Sequence, residues 1–155
     1  YTSKHSARVV WNLIMLGQLF TLLFFAALAV PAWHYLALYG AGVLVAFMAG
    51  HLVFERLVRA GEDTTLERYR GNMATHKRLG YAFFVACLFV MAFPVSPTFI
   101  MQDVLLSYIP THAALLVALF CASYLLMGVG VMRLYTKVFY GPHVAQYHER
   151  AYKSS

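Results

Sequence analysis

Seven histidines, at positions 5, 34, 51, 76, 112, 143 and 148, are the residues of this chain best suited to chemistry, because an imidazole can bind haem or metal and can carry a proton. A b-type haem needs two such rings from different helices, at matching depth and facing one another. His51 lies in the stretch "MAGHLVFER", within a long apolar run that ends in a Glu-Arg pair, and is the best buried candidate. His34 and His112 match in depth at the far ends of their runs, and His76 sits beside Lys77 and Arg78 at the near end. These four are the candidate cofactor-binding residues.

Each candidate also has a plainer reading. His34 follows Pro31-Ala-Trp33 and His112 follows Pro110-Thr111, positions where helices begin and a wet polar side chain costs nothing. His34 and His51 are seventeen residues apart, which on a helix turns their side chains about 100 degrees from each other. Both therefore cannot serve a two-haem stack on one face. His51 and Glu55 are four apart and share a face, half of a carboxylate metal site, but the other apolar runs hold no acid to complete it. His143 and His148, five apart, diverge by about 140 degrees, which disfavours a shared metal. His5, in the N-terminal tail, reads as solvated or as a subunit contact.

The elements that would position these rings follow from composition. With 61% hydrophobic and 12% charged residues, the chain is far from the balance of a soluble domain and reads as an all-α integral membrane protein. Four apolar runs stand out, at residues 9–30, 35–58, 79–93 and 111–134, each near the roughly 20 residues a crossing needs. The expectation is four transmembrane helices in one bundle over residues 1–140, followed by an inner-side interaction tail at 141–155 beyond a Gly-Pro break. The third run is short, because Pro94 and Pro97 interrupt it, and is expected to reach the far surface through an irregular or kinked segment.

Charge orients the bundle. If all four runs cross, the twelve Lys and Arg residues all fall on one side, and both termini lie on that positive, inner side. The expected location is an energy-converting membrane: the mitochondrial inner membrane with termini in the matrix, or alternatively a bacterial plasma membrane with termini in the cytoplasm. The net charge of +6 is accounted for by orientation and by anionic lipid on the inner side, so nucleic acid is not an expected partner.

Packing signals are also present. Gly42, Ala46 and Gly50 recur at intervals of four in the second run, as do Ala114, Ala118 and Ala122 in the fourth. Such stripes let backbones approach closely, so these two helices are expected to meet each other or a neighbouring subunit. Asn12 and Gln18 are six apart in the first run and each is expected to find its own interhelical hydrogen bond. Trp11, Trp33, Tyr35 and Tyr108 have the placement of interfacial belt residues. In the polar loop "RAGEDTTLERYRGNMATHKR", Thr64 followed by Glu67 fits a capping box and predicts a short surface helix over residues 65–74. Between Pro97 and Pro110 an interfacial turn over 98–108 is expected.

Cys87 and Cys121 form no CxxC pair, and no Ser-His-Asp set or phosphate-cradling glycine loop can be assembled. The leading expectation is a non-catalytic accessory subunit of a larger membrane complex of respiratory or other energy-converting type, with other subunits and bound lipids as partners. The second is a haem b- or quinone-binding anchor, an architectural analogy to the anchors of succinate dehydrogenase, from which four spans and the missing ligand motifs depart. A transporter finds no internal repeat and no central ionisable group other than His51.

Overall fold

The computed structural model describes residues 6–27, 33–94, 96–110 and 113–141. Among the described residues the chain is all-α, with five helices: α1 (Ala7–Ala27), α2 (Trp33–Arg59), α3 (Lys77–Val90), α4 (Pro97–Ser107) and α5 (Ala114–Phe139). Three of them, α1, α2 and α5, are long and apolar enough to cross a membrane. The third apolar run is not one helix. Helix α3 ends at Val90 within it, and beyond the break, where Pro94 and Pro97 remove backbone donors, α4 occupies the segment read as an interfacial turn over 98–108.

Helix α1 packs on α2 and α5, and α2 packs on α3 and α4, while α3 also meets α5. Helices α2 and α5 therefore sit on opposite corners, and the pair α3 and α4 fills the corner opposite α1. At one end the core is aromatic, with one ring from each corner: Phe83 of α3 lies 5.0 Å from Trp11 of α1, 4.9 Å from Phe54 of α2 and 5.6 Å from Phe139 of α5 between centroids. At the other end α4 takes over, and its Met101 and Leu105 pack with Phe25 of α1 and Tyr39 of α2.

Trp11 is wholly buried, which corrects its placement as a belt residue. Its indole fills the notch left by Gly50, where an added Cβ would collide with the ring, and its Nε1 reaches the Phe47 carbonyl at 3.5 Å. Trp33 is 75% exposed, as an anchor at a helix end should be. The small stripe on α2 is likewise used within the chain, with Gly50 against Trp11 and Gly42 against Thr98 of α4, whose Cγ2 would stand 2.7 Å from an added Cβ. Of the two expected partners for these stripes, each other or a neighbouring subunit, the first is not formed: the α2 stripe is taken by α1 and α4. The α5 stripe is exposed throughout.

The loop between α2 and α3 closes the aromatic end, but not as the expected helix over 65–74. Its backbone groups are taken by the neighbouring helix ends: Ala7 N donates to Thr64 O at 2.9 Å, Arg70 N to Lys137 O at 3.1 Å and Met73 N to Phe139 O at 3.0 Å. Lys137 Nζ adds a bond to Leu66 O at 2.8 Å. Asp63, not Thr64, organises the local turn by accepting from Thr65 N at 2.9 Å, and it pairs with Arg70. A helix here would forfeit these long-range bonds.

Candidate functional site

The polar side chains of the interior converge where α3 stops. Its last carbonyls have no helical partner, and in an apolar setting each must find a donor. The turn itself supplies Phe93 N to Leu88 O at 3.0 Å and Ala92 N to Phe89 O at 3.3 Å, and the remaining donors come from three other helices. Gln18 of α1, 1% exposed, donates through Nε2 to Val90 O at 2.8 Å, and Tyr124 of α5 reaches the same oxygen through its hydroxyl at 3.2 Å. Thr98 of α4 donates through Oγ1 to Phe89 O at 2.6 Å. Tyr39 of α2 donates its hydroxyl to Gln18 Oε1, which leaves that buried amide bonded at both ends, and Met127 Sδ lies 3.2 Å from Nε2.

The restart of the chain is equally specified. Ser96 is extended at φ −83° and ψ 145°, its Oγ accepts from Phe99 N at 3.3 Å, and Pro97 follows at the first helical position. Ser96 Oγ also donates to Phe93 O at 2.7 Å. Ala92 takes a φ of +43°, a region that costs an L-residue about 1–2 kcal/mol, so the break is held by its surroundings against local preference. The result is a buried polar centre built from all four corners, able to fix a broken helix and to hold or donate hydrogen bonds.

The candidate histidines lie elsewhere. His51 is half-buried, its Nε2 stands 2.9 Å from Asn12 Oδ1 of α1, and its ring meets that of Phe47 edge-on at 4.4 Å. Glu55 pairs with Arg59 at 2.5 Å and not with His51. His34 is exposed at the other end of α2, between Trp33 and Tyr35. His76 belongs to the loop and faces Glu62 at 3.3 Å. His112, like His5, His143 and His148, lies outside the described residues, as does the tail from residue 142. The structure therefore does not bring His34, His51 and His76 together, since His34 and His51 are about 25 Å apart along one helix. Among the described residues no group of three or more His, Cys, Asp or Glu could hold a metal ion.

Asn12 and Gln18 do find separate interhelical partners, one at His51 and one at the break. What sequence reasoning missed is that Tyr39 and Tyr124 share the second site. The two prolines carry the signal, since a helix interrupted in an apolar run leaves carbonyls that some neighbouring donor must satisfy.

Two of the apolar grooves on the bundle's sides reach these polar residues. One, of about 660 Å³, runs between α1 and α2 past Asn12, His51, Gln18 and Tyr39. The other, of about 850 Å³, lies between α5 and the α3–α4 corner and is lined among others by Met91, Gln102, Tyr124, Gly128 and Arg133.

No family of known proteins, no curated protein and no solved structure matches the chain.

Proposed function

We propose that this protein is a non-catalytic structural subunit of a larger membrane complex. One observation carries the reading: on α5, the 26-residue apolar helix, no residue from 114 to 130 is buried. Over that stretch it meets the rest of the chain along one edge, through Phe120 against Phe24 and Phe25, Tyr124 at Val90 O and Met127 at Gln18, and fully buried side chains begin at Val131. A stripe of small residues on so open a helix gains little against lipid, whose chains pack equally well on large side chains, and gains most where another backbone approaches.

In this reading the chain crosses the bilayer four times, with α3 and α4 together forming the third crossing. The two helices fill one corner of the bundle in succession, and the carbonyls of Leu88, Phe89, Val90 and Phe93 at the break have donors. The basic loop and the ends of α1 and α5 that it ties together face the positive side, cytoplasm or matrix, against anionic headgroups.

Gentle solubilisation followed by native mass measurement tests this function. The expected result is an assembly containing this 17.5 kDa chain together with other membrane subunits. A species of one chain with lipid alone would overturn it.

A further inference from the structure

The groove between α5 and the α3–α4 corner contains an uncompensated polar group. Gln102 of α4 is 8% exposed, lines this groove, and its Oε1 has no hydrogen-bond partner among the described residues. Such a group in an apolar setting costs about 1–3 kcal/mol unless something bonds to it. Acyl chains offer no such bond.

Two further features share the groove. Arg133 lines it about 9 Å inside the end of α5 and makes no ion pair among the described residues. At about 100° per residue, Ala114, Ala118 and Cys121 point the same way along α5 as Leu125, Val129 and Met132, of which the last four line the groove. The small stripe therefore extends the groove as a flat strip toward the far end of the helix. A backbone can approach there, a hydrogen-bonding side chain is wanted at Gln102, and a negative charge is wanted at Arg133.

We infer that the groove seats a transmembrane helix of another subunit, one that carries an Asp or Glu opposite Arg133 and a polar side chain opposite Gln102. The inference rests on the subunit reading above and names the partner's chemistry. A lipid fits it less well, because a headgroup at Arg133 leaves Gln102 facing hydrocarbon.

Photo-cross-linking in the native membrane tests this, with benzoylphenylalanine placed at Leu125 and, for comparison, at Val45, which is exposed on α2. The expected result is one protein adduct at Leu125 and none at Val45, its mapped peptide an apolar span of a different protein that includes an acid. Arg133→Glu is expected to lower the adduct yield roughly tenfold, with Arg133→Lys retaining it. Ala118→Leu is expected to lower it as well. Its side chain is exposed, so the fold does not depend on it. Adducts only with lipid, only with a second copy of this chain, or with a span lacking acid would each overturn the inference, as would yields unchanged in Arg133→Glu and Ala118→Leu. If native mass shows a multisubunit assembly while Leu125 reaches only lipid, the groove assignment fails alone. A solitary chain would remove both.

Discussion

His51 Nε2 and Asn12 Oδ1 stand 2.9 Å apart, joining α2 to α1 close to the basic end of the bundle. With Oδ1 accepting, the imidazole carries its proton on Nε2, the nitrogen an axial ligand would otherwise offer. The pair gives His51 a hydrogen-bonding partner on a second helix.

Replacing either partner by Leu is expected to cost little, because Asn12 is exposed and His51 only half-buried. Hydrogen bonds between helices in a membrane average about 0.6 kcal/mol and reach about 1.7. A double-mutant cycle of Asn12→Leu and His51→Leu, followed by unfolding in detergent, should return a coupling within that range. Strictly additive effects would mean that the two residues do not interact.

Gln18 is expected to matter more. Gln18→Leu removes the shorter of the two bonds to Val90 O, leaving that from Tyr124, and at once removes the acceptor for the buried Tyr39 hydroxyl. Each unmet polar group costs about 1–3 kcal/mol, so the loss should exceed that of Tyr39→Phe, which removes one bond and leaves Gln18 its other. The ranking of unfolding free energies is the measurement. Equal losses in the two variants would show that the Gln18 bond to α3 contributes nothing.

Gly50→Ala should be among the most damaging conservative changes, since its methyl would overlap the Trp11 indole between α1 and α2. Overpacking of this kind costs about 1–3 kcal/mol, and Trp11 has no room to withdraw among Phe54 and Phe83. Gly130→Ala, with nothing within 4 Å of the added carbon, is the matched control and should leave the unfolding midpoint where it is. A tolerated Gly50→Ala would mean that the indole is not seated there.

The apolar runs were legible because hydrophobicity and length are local properties of a segment, and α1, α2 and α5 lie close to where the runs place them. The prolines at 94 and 97 likewise foretold an interruption. Which helix meets which was not legible: Gly42 and Gly50 announce close approach, yet only the fold shows that Thr98 and Trp11 are what approaches. The loop after α2 misled for a related reason. Thr64 and Glu67 satisfy a local rule for starting a helix, while Thr64 O and Arg70 N bond to α1 and α5, remote in sequence. His51 has the residue type of a ligand, but its role depends on Asn12, thirty-nine positions away.

The divided helix gives the topology its sharpest test. Helix α3 has 14 residues and spans about 21 Å, short of the roughly 30 Å of a hydrocarbon core, while the 11 residues of α4 add about 16 Å. Crossing therefore requires both, with the polar centre at the break supplying the bonds that an unbroken helix would make for itself. If they cross as one unit, Ala74 before α3 and Ser107 at the end of α4 lie on opposite sides. Both are exposed and accept cysteine in a background lacking Cys87 and Cys121. A membrane-impermeant maleimide should label Ala74→Cys from the side of the basic loop and Ser107→Cys only from the other. Labelling of both from one side would mean that α4 turns back, and the bundle would then have three crossings with its basic loop and the end of α5 on different faces. The bonds from Arg70 and Met73 to Lys137 and Phe139 argue against that arrangement, because they hold the loop and the end of α5 together.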